Sequence, residues 1–128
     1  MNRIEHDYAC RLDLLRRSGD ILQWGFEAMT LRLAADVRYT PDFIVVRPVG
    51  PGRCRLEAHE TKGYMRDDAR VKVRLAASLF PWITFFVVRR SKDAGAILRQ
   101  WTIAEVPRGE LAPDERLHEL ALEADFGR

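Results

Sequence analysis

Residues 39–46 read YTPDFIVV, and residues 53–62 read RCRLEAHETK. The first run is rich in β-branched and aromatic residues, which predicts a strand with Pro41 near its start. Between the two runs, the turn-forming residues PVGPG at 48–52 predict a reversal of the chain. If the runs pair as an antiparallel hairpin, residue numbers that sum to about 102 lie opposite each other. Asp42 is therefore expected beside Glu60.

Side chains alternate across a strand, so the second run has two different faces. Glu60 and Lys62 share one face with the apolar Ala58, whereas Glu57 and His59 point to the other side. We therefore predict that Glu60, and not Glu57, is the functional carboxylate, and that His59 is a packed histidine.

Two carboxylates and one ammonium group are thus predicted at one corner of a sheet. Carboxylates roughly 5 Å apart repel each other and shift each other's pKa, so a cation is expected between Asp42 and Glu60. A few oxygen ligands that leave room for water and a phosphate suit Mg²⁺ or Mn²⁺ better than zinc.

The remaining sequence pattern predicts one α/β domain over residues 1–128, with a mixed sheet flanked by helices. The expected order is α-β-β-β-α-β-β-α, with a core over 1–90 and a C-terminal strand and helix over 91–128. Helices are predicted at 3–17, 67–79 and 113–124, and further strands within 21–33, at 82–88 and at 97–106.

Composition predicts a compact soluble domain, because hydrophobic residues make up 47% of the 128 residues and charged residues 31%. No apolar run reaches the roughly 20 residues of a membrane span, and residues 1–10 lack the apolar core of a secretory signal. We therefore expect a cytoplasmic protein that makes no membrane contact.

The two cysteines, Cys10 and Cys54, are expected to be buried free thiols.

Charge is unevenly distributed along the chain. Residues 62–93 contain eight basic and three acidic residues, whereas residues 105–128 contain seven acidic and three basic ones. On the second predicted helix, Arg66, Arg70 and Arg74 recur every four residues. This stripe could follow a phosphate backbone or could be an ordinary solvated face. Lys72 lies off the stripe and could reach the predicted site from the helix.

Pro41-Asp42 and Glu60-x-Lys62 on adjacent strands, preceded by Glu5 on a helix, resemble the signature of the PD-(D/E)xK nuclease superfamily. Within it, the chain is most similar to phage endonucleases related to Holliday-junction resolvases, and the likeness runs over residues 3–88. The chain departs from the usual pattern at Thr61, where an apolar or acidic residue is more common. Thr61 is predicted to point away from the site, so little consequence is expected.

The resemblance implies a restriction-endonuclease-like core and a Mg²⁺-dependent DNA endonuclease, with Mn²⁺ as a possible substitute. Asp42, Glu60 and the backbone carbonyl of Thr61 would hold the metal, and Glu5 would complete its shell or hold a metal-bound water. Lys62 would orient the attacking water and stabilise the developing charge. The resemblance also implies a homodimer acting on branched DNA in the cytoplasm, that of a bacterial host if a phage encodes the protein.

Two other interpretations stay open at this point. The same four residues would serve the nuclease subunit of a transposon or a restriction-like system, which requires a defined DNA end or site. Alternatively, the fold could be a catalytically inactive DNA-binding module with structural charges. Taken singly, Glu5 could be a solvated helix charge, and Lys62 could be only an ion-pair partner of Glu60.

Overall fold

The computed structural model describes residues 1–62, 67–91 and 101–108, and this part of the chain forms two helices and seven strands. The helices are α1, Arg3–Ser18, and α2, Asp67–Leu79. The strands are β1 Gln23–Phe26, β2 Leu31–Ala34, β3 Val37–Tyr39, β4 Phe43–Gly50, β5 Arg53–Thr61, β6 Ile83–Arg90 and β7 Trp101–Glu105. The helix predicted at 113–124 lies outside the described residues.

Both ends of α1 have well-formed caps, and the glycine at its C-terminal end agrees with the helix end expected near residue 17. The Asn2 side chain accepts a hydrogen bond of 2.9 Å from the backbone N–H of Glu5. At the other end Gly19 has a φ of 85°, in the left-handed region that glycine adopts without steric cost. The N–H groups of Gly19 and Asp20 then donate to the last carbonyl groups of the helix, those of Arg16 and Leu15.

The main sheet has five strands in the order β1-β4-β5-β6-β7. All neighbours are antiparallel except β5 and β6, which are parallel and are joined through α2. In the β4–β5 hairpin, Phe43 pairs with His59 and Ile44 with Ala58, which confirms the predicted register. The coarse prediction of an α/β domain with a mixed sheet and flanking helices is therefore confirmed.

The segment before this hairpin differs from the prediction. Instead of one strand over 39–46, Tyr39 ends β3 and Phe43 begins β4, so Pro41 and Asp42 lie in the link between two sheets. Pro41 has no N–H to donate to a ladder, which favours an interruption at this point. β2 and β3 form a separate antiparallel pair, and five strands rather than three precede α2.

Each face of the main sheet has its own apolar cluster. Helix α2 and the β2–β3 pair cover one face, and α1 covers the other. Ile44 and Ala58 point to the α2 face, and Phe43 and Val45 to the α1 face, as strand alternation requires. Glu60 therefore belongs to the α2 face and His59 to the α1 face.

Two further expectations concern the cysteines and the membrane. Cys10 and Cys54 are free thiols, but both are exposed, so the prediction that they are buried was wrong. Cys10 lies on the solvent side of α1, and Cys54 lies next to the turn of the β4–β5 hairpin. No helix within the described ranges is long and apolar enough to cross a membrane.

Candidate active site

Asp42 and Glu60 meet at the corner of the sheet where β4 begins and β5 ends. The Asp42 carboxylate accepts two hydrogen bonds from Thr61, one of 2.9 Å from its backbone N–H and one of 3.0 Å from its hydroxyl. The backbone carbonyl of Asp42 also accepts a hydrogen bond of 2.9 Å from the N–H of Glu27. Asp42 is thus held at both its main chain and its side chain.

Glu60 is the more deeply buried of these two carboxylates, with only 5% of its surface exposed. The Tyr39 hydroxyl donates a short hydrogen bond to Glu60 Oε2. On the other oxygen, Lys62 Nζ lies 3.9 Å from Oε1. The corner therefore brings together Asp42, Glu60 and Lys62, and it adds Tyr39.

The burial of Glu60 and its charged neighbours determine the pKa of its carboxyl group. Burial raises its pKa, and the hydrogen bond and negative charge of Asp42 raise it further, to about 8, although Tyr39 and Lys62 act in the opposite direction. Without a cation, Glu60 therefore keeps its proton at neutral pH. A divalent cation beside Asp42 could take the place of that proton, so the donor set fits a hard metal ion such as Mg²⁺.

Tyr39 is a member of the site that the sequence did not identify. Burial, followed by the charge of Glu60, raises the pKa of the Tyr39 hydroxyl, so it remains a hydrogen-bond donor across the physiological range. Its strand, β3, belongs to the second sheet, and only the packing of that sheet against α2 brings Tyr39 to Glu60. No sequence spacing would have indicated this contact.

The expectation for Thr61 was wrong. Its hydroxyl and its N–H both donate to Asp42, and its surface is only 5% exposed, so its side chain contacts the site. The reason is that Asp42 lies outside β4, in the link that bends towards the end of β5, so strand alternation does not predict which side chains it meets. The Thr61 side chain positions a carboxylate, a role that an apolar residue could not fill.

Glu5 lies at the same end of the sheet, but it does not touch the pair. Tyr8, one turn later on α1, contacts His59, while the far end of α1 leads into β1 at the level of Val46. The first turn of α1 is therefore near the Asp42 end of the sheet. Within the described part of the chain, no hydrogen bond or ion pair joins Glu5 to Asp42, Glu60 or Lys62.

The basic residues assigned to DNA have different environments. Arg70 and Arg74 are exposed on α2, and both line a groove between α2 and strands β6 and β7. Lys72 is half-buried on the opposite flank of α2 and forms no ion pair within the described ranges. Arg66 lies outside the described residues.

A second buried polar group lies on the α1 face of β5. Glu57, with 0% exposure, accepts hydrogen bonds from His59 Nε2 at 2.8 Å and from Arg47 Nε at 2.8 Å. Arg55 also donates to it, and His59 Nδ1 lies 2.5 Å from the Tyr8 hydroxyl. Burial alone would raise the pKa of Glu57, but the hydrogen bonds from His59, Arg47 and Arg55 lower it to about 2.

The buried cluster of Glu57, His59 and Tyr8 has a structural role. His59 Nε2 lies 2.8 Å from Glu57 Oε1 and His59 Nδ1 lies 2.5 Å from the Tyr8 hydroxyl, so both ring nitrogens have partners. His59 and Glu57 are buried, with 1% and 0% exposure, which leaves no access for a substrate. The prediction that His59 is a packed histidine is confirmed, and so is the placement of Glu57 away from Glu60.

Comparisons with known proteins add no further assignment: no protein-family model, curated protein or solved structure matches this chain. Among the residues that the structure describes, no group of three or more His, Cys, Asp or Glu side chains is arranged to hold a metal ion. The two carboxylates of Asp42 and Glu60, with the adjacent Lys62, are accordingly the site on which a functional proposal rests.

Proposed function

We propose that this chain is a Mg²⁺-dependent DNA endonuclease of the PD-(D/E)xK type, with Mn²⁺ able to replace Mg²⁺. The observation that carries the proposal is the buried corner in which Asp42 and Glu60 meet beside Lys62. A buried carboxylate pair of this kind is costly unless a proton or a cation neutralises it. A divalent cation bound there would polarise a phosphodiester, and the adjacent ammonium group of Lys62 would stabilise the negative charge that develops on it.

The order of the elements supports the same proposal. Asp42 directly precedes β4, Glu60 and Lys62 end the antiparallel partner β5, and α2 then leads to the parallel strand β6. This agrees with the resemblance seen in residues 3–88 and with a restriction-endonuclease-like core. The pairing of two acidic groups and one lysine at a strand end is more specific than the short sequence motif alone.

Each residue has a defined task in this proposal. Asp42 and Glu60, with the Thr61 backbone carbonyl, would hold the metal ion, which supplies Lewis-acid activation of the phosphate and of water when bound. Thr61 orients Asp42 through two hydrogen bonds, and Tyr39 orients Glu60. Lys62 stabilises the negative charge that develops on the phosphate oxygens. Glu5, at the same end of the sheet, would hold a water molecule in the outer shell of the metal.

For the substrate, we propose branched DNA such as a four-way junction, cut by a homodimer in the cytoplasm. Two symmetric incisions at a junction require two active sites, which a dimer with two-fold symmetry provides. The nuclease subunit of a transposon or restriction-like system would instead cut only at a defined end or sequence. A catalytically inactive DNA-binding module would bind without cutting.

The test is a cleavage assay of the purified protein on a labelled four-way junction, a linear duplex and a single strand. Incision is expected with Mg²⁺ or Mn²⁺ and is expected to be absent in EDTA. Lys62→Ala should lower the rate by about 10² or more, because one electrostatic stabiliser of the transition state is lost, while junction binding in Ca²⁺ is retained. Asp36→Asn, at an exposed position between β2 and β3, is the matched control and should cut at the wild-type rate.

Three results would count against the proposal in different ways. Robust cleavage in EDTA would exclude the metal mechanism. Binding without incision under every metal condition would favour the inactive module. Cleavage of one linear sequence in preference to junctions of unrelated sequence would favour the transposon or restriction-like assignment. Sedimentation of the protein with and without a junction would measure whether it is a dimer.

A further inference from the structure

A basic groove lies on the α2 face of the sheet, beside the candidate active site. Arg70 and Arg74 line it from α2, Arg89 from β6, and Thr102, Glu105 and Val106 from β7 and the residue after it. Among the described residues, Val73, Val87 and Ala104 form its floor. It therefore combines an apolar floor with arginines from two separate elements.

The register of the sheet places this groove next to Glu60. Val87 pairs with Glu60 in the parallel β5–β6 ladder, and directly paired residues point to the same side of a sheet. The backbone N–H of Lys62 donates to the carbonyl of Val88, so Arg89 is the next residue on β6 beside Lys62. Neighbouring strands are about 4.8 Å apart, so the groove begins one strand away from the carboxylate pair.

Within the described part of the chain, no ion pair neutralises the arginines of the groove. None of Arg70, Arg74 and Arg89 forms an ion pair with any residue in the described part of the chain. Arg47, Arg55 and Arg90, in contrast, are each paired with a carboxylate. Glu105 is the acidic residue among the described residues that line the groove, and it pairs with Phe86, on the side of the sheet that faces α1.

We infer that this groove binds the phosphate backbone of a DNA arm next to the active site, with Arg89 acting together with Arg70 and Arg74. Arg70 and Arg74 are one helical turn apart, about 6 Å, which allows contact with neighbouring phosphates on one strand. Planar guanidinium groups bind phosphate oxygens through paired hydrogen bonds. The inference rests on the proposed nuclease function, and it adds β6 to a contact surface that the sequence predicted on α2 alone.

The test compares three variants by titrating a labelled duplex in Ca²⁺ at several salt concentrations. Arg70→Ala/Arg74→Ala/Arg89→Ala should flatten the slope of log affinity against log salt by about 0.9 for each lost phosphate contact, hence by up to about 2.7. The same three positions changed to lysine should keep most of the slope, because the positive charges remain. Arg89→Ala alone should account for about one contact.

The matched control removes three arginines elsewhere, in Arg16→Ala/Arg17→Ala/Arg53→Ala. Arg53 begins β5 and Thr61 ends it, a separation of roughly 26 Å at about 3.3 Å per residue. Arg16 and Arg17 lie in the last turn of α1, which covers the other face of the sheet. The control should therefore leave the salt slope unchanged, although the net charge changes by the same amount.

The outcomes separate this inference from the proposed function. If the wild-type protein cuts DNA but the alanine variant keeps its salt slope, the groove assignment is overturned and the nuclease proposal stands. If the wild-type protein binds but never cuts, a flattened slope in the alanine variant still supports the groove. A groove that binds polyglutamate in preference to DNA, with the same dependence on the three arginines, would overturn the assignment to nucleic acid.

Discussion

At the scale of single residues, the candidate site depends on how Glu60 holds its proton. Its carboxyl is buried, shares its surroundings with Asp42, and receives the Tyr39 hydroxyl on one oxygen. Because the pKa of Glu60 is raised to about 8, a metal ion must compete with a proton at neutral pH. Metal binding is therefore expected to release a proton and to strengthen as the pH rises towards 8.

Tyr39→Phe tests this arrangement directly. The Tyr39 hydrogen bond lowers the pKa of Glu60, so its loss should raise that pKa further and weaken Mn²⁺ binding most at the lower end of the pH range. Mn²⁺ affinity measured by calorimetry between pH 6 and 9 should show its acidic limb displaced to higher pH. Tyr8→Phe, which removes a buried hydroxyl on the other face of the sheet, is the control and should leave the limb in place. An unchanged profile in Tyr39→Phe would contradict the assigned role of Tyr39.

At the scale of elements, β5 carries two buried carboxylates with opposite environments. Glu60 faces α2 and has a raised pKa, whereas Glu57 faces α1, with its pKa lowered to about 2 by donors that outweigh its burial. Strand alternation separates them by the thickness of one sheet. The same strand thus contributes the proposed metal site and a group that links α1 to the sheet.

Replacing each carboxylate by its amide should therefore give opposite results. Glu60→Gln resembles the protonated acid, so the free energy of unfolding at pH 7 should change little, while cleavage is lost. Glu57→Gln removes the charge that Arg47 and Arg55 neutralise, so the free energy of unfolding should fall by about 2 kcal/mol, a typical loss for a buried hydrogen-bonded charge. Urea unfolding and the cleavage rate of the folded fraction measure the two effects. Loss of cleavage in folded Glu57→Gln would show that both faces of β5 serve the chemistry.

At the scale of the whole molecule, these two carboxylates have opposite effects on how the stability of the metal-free protein changes with pH. The folded state holds the Glu60 proton more tightly than the unfolded chain, so stability should fall as the pH rises from about 4.5 to about 8. Glu57 has the opposite sign: its contribution is present above about pH 4.5 and is lost as the pH falls towards about 2.

The free energy of unfolding is expected to be largest in mildly acidic solution. Its decrease at higher pH is caused by the ionisation of Glu60. Urea unfolding in EDTA from pH 3 to 9 should show this decline in the wild-type protein and a flatter curve in Glu60→Gln. Mg²⁺ should restore stability on the alkaline side, because it binds the folded state alone. An equally steep decline in both proteins would mean that another group titrates there.

Much of this architecture could be predicted because it depends on local chemistry. Hydrophobic period and the glycine at position 19 determined α1, and the turn residues at 48–52 determined the register in which Ile44 pairs with Ala58. That register, with strand alternation, was sufficient to place Glu60 on one face and Glu57 on the other. These features involve residues that are near in sequence or that are joined by one short turn.

What only the tertiary structure decided involves residues that are far apart in sequence or outside a regular strand. Tyr39 reaches Glu60 from a second sheet, and Thr61 reaches Asp42 because the link after Pro41 leaves the ladder. Arg89 joins Arg70 because β6 returns parallel to β5 after α2. The sequence alone determined the two described helices, the hairpin of β4 and β5 and the carboxylate pair, since period and spacing are local properties. The partners of that pair depend on how separate elements pack, which no local pattern encodes.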